Sequence, residues 1–159
     1  MAKILVVDDH STSQRLMSFI LQQHQYAATT AMNGRQALDR LAEQSFDLVI
    51  TDLHMPELNG LELLRHMRSD ERYRSIPVII LTGSVHDQDQ IHAHEAGAIA
   101  FLTKPVGSDE VIATVGQLLA TRRVEDGSVS EPPVAEQDDQ RSGALKFLGL
   151  RLKKKIHVI

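Results

Sequence analysis

The sequence predicts an α/β fold, a five-stranded parallel sheet doubly wound as (βα)5, and two observations carry that prediction. Short, nearly unbroken apolar runs alternate with longer segments of helical periodicity. Four of those runs also end in a carboxylate, a hydroxyl or an amine: Val6-Val7 before Asp8-Asp9, Val49-Ile50 before Thr51-Asp52, Ile79-Ile80-Leu81 before Thr82, and Phe101-Leu102 before Lys104. Parallel strands are buried on both faces and so read as continuous apolar stretches, and ligands of such sheets collect beyond the strands' carboxyl ends.

Each element follows from its residues. Ile4 to Val7 makes the first strand. Ser11 to Gln23 places Leu16, Phe19, Ile20 and Gln23 on one stripe, which predicts a helix with Ser11 or Thr12 as its N-cap. Tyr26 to Ala31 is a weaker strand, and Asn33-Gly34 then opens a helix to about Glu43 that buries Ala37, Leu38 and Leu41. Phe46 to Thr51 is the third strand and Gly60 to Ser69 the third helix. Val78 to Leu81 is the fourth strand, entered from Pro77, where a missing N–H is tolerated. The fourth helix, between Val85 and Ala96, has only Ile91, Ala93 and Ala96 as apolar anchors, which predicts thin packing and low local stability. Ile99 to Leu102 is the fifth strand, and Ser108 to Ala120 a helix turning Val111, Ile112, Val115, Leu118 and Leu119 inward. Strict alternation of this kind implies right-handed βαβ units.

Composition bounds the function. A chain of 159 residues, 42% hydrophobic, fits one ordinary domain with a remainder. The absence of Cys excludes disulfides, thiolate metal sites and cysteine nucleophiles, and fits a reducing compartment. The first apolar run is too short for a signal-peptide core or a membrane span, so a cytoplasmic location is expected. A net charge of -4 gives no electrostatic reason to expect nucleic-acid binding. Charge distribution is more telling. Residues 1–123 hold 11 Lys and Arg against 15 Asp and Glu, residues 124–140 none against 6, and residues 141–159 6 against none. This divides the chain into a domain over 1–123, an acidic linker over 124–142 with the composition of a disordered segment, and a short basic tail over 143–159. As a helix the tail aligns Leu145, Leu148, Leu152, Ile156 and Ile159 against Lys153, Lys154 and Lys155, which suits an anionic membrane or a partner's groove; as a strand it alternates Leu148, Leu150 and Leu152. About 36 residues beyond Arg123 are too few for an attached winged-helix or cyclase domain, so either the chain acts alone or its effector has been cut away.

The strand-end residues suggest phosphoryl chemistry. Asp8-Asp9 and Asp52 leave strands that are neighbours in the usual winding of such a sheet, and three anions that close call for a cation among them. Mg²⁺ suits the set, with Mn²⁺ as a substitute, because it binds a few carboxylates and keeps sites for phosphate oxygens. Asp52 could then attack phosphorus as a carboxylate, with the Lys104 ammonium neutralising the transferring group. Lys104 precedes Pro105, where a cis peptide costs little and would aim the lysine inward. Other signals fade on inspection. His92 and His94 diverge by about 200 degrees on a helix and cannot share a metal there, and with His86 they read as a polar face. Arg65, Arg68, Arg72 and Arg74 read as a basic surface strip.

Taken together, Val6-Val7-Asp8-Asp9, Asp52-Leu53-His54-Met55-Pro56 with Asn59-Gly60, Thr82, and Phe101-Leu102-Thr103-Lys104-Pro105 resemble the receiver domain of bacterial two-component response regulators over residues 3 to about 122. The resemblance implies the flavodoxin-like receiver fold and a phosphoacceptor at Asp52. It implies that Asp9 and Asp52 ligate Mg²⁺ directly, that Asp8 orients metal waters, and that the His54 backbone carbonyl completes the protein ligands. Lys104 then contacts the phosphoryl group and Thr82 senses it, moving inward so that the aromatic switch residue, Phe101, fills the space it leaves. His54 and Ser84 occupy positions that tune the phosphorylated lifetime. The implied partners are a histidine kinase or histidine phosphotransfer protein as donor and a target protein on the face of the fourth helix, fifth strand and fifth helix. No enzymatic activity is expected beyond self-phosphorylation and autodephosphorylation. Two other readings compete: a Mg²⁺-dependent phosphatase of haloacid dehalogenase type, which wants a second acid where His54 stands and also a cap domain, and an adaptor indifferent to phosphorylation.

Overall fold

The computed structural model describes residues 1–83 and 86–125. Five strands, β1 (Lys3–Val7), β2 (Ala27–Ala31), β3 (Leu48–Thr51), β4 (Val78–Thr82) and β5 (Ala100–Thr103), alternate with five helices, α1 (Ser11–Gln23), α2 (Gly34–Glu43), α3 (Gly60–Ser69), α4 (Asp87–Glu95) and α5 (Ser108–Glu125). The strands form one parallel sheet in the order β2-β1-β3-β4-β5. This is the doubly wound, flavodoxin-like arrangement the sequence predicts.

Burial on both faces explains the unbroken apolar runs. Every residue of β3 and β4 is buried, as are Ile4 to Val7 of β1. Each fully buried Leu or Ile of this core contributes about 1.5–3 kcal/mol relative to exposure, so the central strands anchor the molecule. The outer strand β2 is only half-buried until Ala31, in keeping with its weak apolar signal.

Four expectations are corrected. In α1 the buried side chains are Met17 and Leu21, while Leu16 and Phe19 are each 59% exposed. Gln14 sets that rotation: its side-chain amide donates to the carbonyls of Ala31 and Asp8, so the face carrying Gln14, Met17 and Leu21 must meet the sheet. The N-cap of α1 is His10 rather than Ser11 or Thr12. In α4 the buried residues are Gln90 and Ala93, and Ile91 turns outward. The thin packing of this helix thus includes a buried amide. Finally, α5 continues to Glu125, so Val124 and Glu125 are helical rather than linker. The remaining linker and the basic tail over 143–159 lie outside the described residues.

A candidate phosphoacceptor site at the carboxyl edge of the sheet

Register brings the acids together. Val7 pairs with Thr51 across β1 and β3, so Asp8 and Asp52 are the first residues beyond paired strand ends. Their backbones stay tied to the sheet: Asp8 N–H donates to Ala31 O at 3.1 Å and Asp52 N–H to Val7 O at 2.9 Å. Both side chains are nearly buried. On the other side, Thr82 pairs with Thr103, and Lys104 N–H donates to Thr82 O at 2.8 Å. Lys104 Nζ then reaches back across the edge to Asp8 Oδ2 at 3.0 Å and Asp52 Oδ2 at 3.2 Å. The Lys104–Pro105 peptide is cis.

Electrostatics follow from this contact. Burial alone would lower the Lys104 pKa, but the hydrogen bond the ammonium donates to Asp8 and the charge of Asp52 outweigh it and hold the ammonium above its usual 10.5. One cation among the three acids is therefore the chain's own lysine. Asp52 Oδ1 accepts from Leu53 N–H at 2.6 Å, which fixes the carboxylate plane.

The loop after Asp52 is held tightly. Gly60 N–H donates to Leu53 O at 2.9 Å, and a Cβ at Gly60 would strike the Asp52 carbonyl oxygen. Asn59 caps α3 through a reciprocal box, its side chain accepting from Glu62 N–H while the Glu62 carboxylate accepts from Asn59 N–H. Asn33 caps α2 in the same way, without the return bond. Both Asn-Gly pairs are thus helix starts, as their sequence suggested.

The donor set fits a divalent cation. Ligand atoms of Asp8, Asp9, His10 and Asp52 lie within 4.8 Å of one another, and this is the only such group among the described residues. Asp9 Oδ1 is buried yet accepts no hydrogen bond, a cost of about 1–3 kcal/mol or more for a charged oxygen unless something else partners it. A cavity of about 290 Å³ opens beside Asp8, Asp52 and Lys104, walled by Leu16, Met17 and Ile20 of α1 and by Val106 and Val111 at the start of α5.

Comparison with known proteins decides the family. The family profile described as the response regulator receiver domain matches residues 4–116. The chain belongs to the response regulator receiver family. Protein PilH of Pseudomonas aeruginosa is similar to it at 33% identity, over 76% of this chain and 99% of that protein. Response regulator Rre1 of Synechocystis sp. is similar at 32%, over 90% of this chain and 62% of its own length. Transcriptional regulatory protein ZraR of Klebsiella oxytoca is 35% identical over 84% of this chain, which spans 30% of that protein. Among solved structures, the receiver domain of a signal transduction histidine kinase from Syntrophus aciditrophicus aligns with a TM-score of 0.73 at 31% identity, covering 85% of this chain and 99% of that one. Chemotaxis response regulator CheY4 of Vibrio cholerae aligns at 0.70 and 30% identity, covering 74% of this chain and 98% of that chain.

Within this receiver, Asp8, Asp9, Asp52 and Lys104 meet at one point. Thr82 is buried at the end of β4, and Phe101 is fully buried in β5. His54 lies largely in solvent, with Nε2 3.5 Å from Asp89 Oδ2 on α4. Ser84 lies outside the described residues. The three helix histidines form no metal group with each other. The roles of two residues in the structure escaped the sequence reading. His10 joins the acids, and only its position directly after the Asp pair hinted at that. Arg68 is half-buried rather than a plain surface charge: its guanidinium donates to the carbonyls of Arg74, Ile76 and Gly97.

Proposed function

We propose that this receiver takes a phosphoryl group onto Asp52 from the phosphohistidine of a histidine kinase or phosphotransfer protein, in the cytoplasm, and controls a partner protein through α4, β5 and α5. The observation that carries the reading is the convergence of Asp8, Asp9 and Asp52 with the Lys104 ammonium at the open edge of the sheet.

A carboxylate oxygen of Asp52 forms the new bond to phosphorus while the bond from phosphorus to the donor imidazole nitrogen breaks, its electron pair returning to the ring. Lys104, already at 3.2 Å from Asp52, neutralises charge on the transferring group without rearrangement. Asp8, Asp9, Asp52 and the His54 carbonyl would hold Mg²⁺, with Mn²⁺ as a substitute, and the bound ion would supply further neutralisation of the phosphoryl oxygens. Leu16 of α1, which lines the cavity beside Asp52, and Phe19 on the same helix are both exposed and offer an apolar seat for the donor protein.

Signalling follows from the added charge. A phosphoryl group brings roughly −1.5 to −2 charge and three strong acceptors, which draws the Thr82 hydroxyl toward Asp52. The effect spreads to α4, the helix with the least apolar anchoring. The receiver performs no turnover of outside substrates in this reading; it gains and loses its own phosphoryl group, at a pace tuned by His54 and Ser84.

Labelling with radioactive acetyl phosphate tests the assignment. The parent chain takes up label in the presence of Mg²⁺, and Asp52→Asn takes up none while keeping its circular dichroism spectrum. Equal labelling of the variant would overturn the reading.

A further inference from the structure

His10 stands beside the acids that would hold the receiver's cation, and its backbone is pinned there. The His10 N–H donates to Asp8 Oδ1 at 2.9 Å, and its carbonyl accepts from Gln14 N–H at 3.0 Å as the first turn of α1 begins. The ring therefore leans over the acids although its side chain is 70% exposed. Nδ1 lies 3.1 Å from Asp9 Oδ1 and 3.4 Å from Asp8 Oδ1.

The contact with Asp9 is close without being a hydrogen bond, since Asp9 Oδ1 has no hydrogen-bond partner. Two donor atoms so placed match neighbouring corners of an octahedral shell, which are about 3.0 Å apart when metal bonds are about 2.0–2.1 Å. Carboxylate oxygens alone suit Mg²⁺. An imidazole nitrogen added to them favours first-row transition ions, whose affinity for nitrogen rises along the Irving–Williams series, whereas Mg²⁺ gains little from it.

We infer that His10 is a specificity-determining ligand, supplying Nδ1 beside Asp8, Asp9 and Asp52 so that the site prefers a divalent transition cation such as Co²⁺ to Mg²⁺. This rests on the reading that the three carboxylates hold a cation. Asp9 Oδ1, otherwise orphaned, becomes part of the same shell as the imidazole. Each of the other described histidines stands apart from any such group of acids.

The test compares metal affinities directly. The parent chain and His10→Ala are titrated calorimetrically with Mg²⁺ and, separately, with Co²⁺, whose visible absorption reports nitrogen ligation. In the parent, Co²⁺ binds more tightly than Mg²⁺; in His10→Ala the Co²⁺ affinity falls roughly ten-fold or more, while Mg²⁺ affinity shifts less than about two-fold. An unchanged Co²⁺ to Mg²⁺ ratio would overturn the inference and leave the carboxylate site standing. If Asp9→Asn binds both ions as the parent does, the carboxylate reading fails and the role of His10 fails with it. Should His10→Ala fold poorly, nuclear magnetic resonance of the parent decides. Zn²⁺ should shift the His10 ring nitrogen signals at one equivalent, and unshifted signals would refute the proposal.

Discussion

The Lys104 ammonium donates to Asp52 Oδ2 at 3.2 Å, joining residues that β3 and β5 deliver to one edge of the sheet from 52 positions apart. The same nitrogen donates to Asp8 Oδ2 at 3.0 Å, so the pair is a lysine shared between two nearly buried acids.

That arrangement has a pH signature. Because folding raises the Lys104 pKa above 10.5, the contact contributes stability that is fully present below that value and lost as pH rises through the higher folded value. Urea unfolding of the parent and of Lys104→Met should therefore differ at pH 8, and the difference should shrink as pH rises past 10.5. A constant difference across that range would contradict the assignment. Lys104→Ala should also leave metal binding largely intact while uncoupling phosphorylation from α4, read by hydrogen exchange of that helix with and without acetyl phosphate.

Gly60 has no room for a methyl group, which would meet the Asp52 carbonyl oxygen. Gly60→Ala should lose about 1–3 kcal/mol of stability and slow labelling of Asp52, since the backbone that aims the carboxylate must move. Thermal unfolding with a parallel labelling time course checks both.

Gln90 is 3% exposed, and its Nε2 finds no partner among the described residues. Gln90→Leu should stabilise the fold by about 1 kcal/mol and slow hydrogen exchange in α4. Faster exchange would show that the amide supports the helix.

Arg68 supports three carbonyls at once, and its fork geometry is what reaches them. Arg68→Lys should cost about 1–3 kcal/mol because a point charge cannot replace the fork and leaves carbonyls unpaired. Denaturant midpoints of the two chains provide the measurement.

Much of the fold was legible because buried parallel strands announce themselves as apolar runs, and because the residues closing those runs carry the chemistry. Asp8, Asp9, Asp52 and Lys104 were readable for that reason. The rotation of α1 was not, since Leu16, Phe19 and Ile20 compose as good a stripe as Met17 and Leu21, and the choice rests on Gln14 reaching carbonyls contributed by other segments. Gln90 was hidden for the opposite reason, as nothing local marks a polar residue for burial. Arg68 was hidden because its acceptors are backbone oxygens, which have no sequence signal.

The grip of Arg68 on Gly97 also determines where α4 is fastened. Gly97 follows the C-terminal end of that helix, with φ +101 and its Cα packed close to the guanidinium, whereas the first turn begins at Asp87 without a side-chain cap. The helix is thus tied to α3 just past its C-terminal end, while its first turn meets the phosphoacceptor loop through Asp89 and His54.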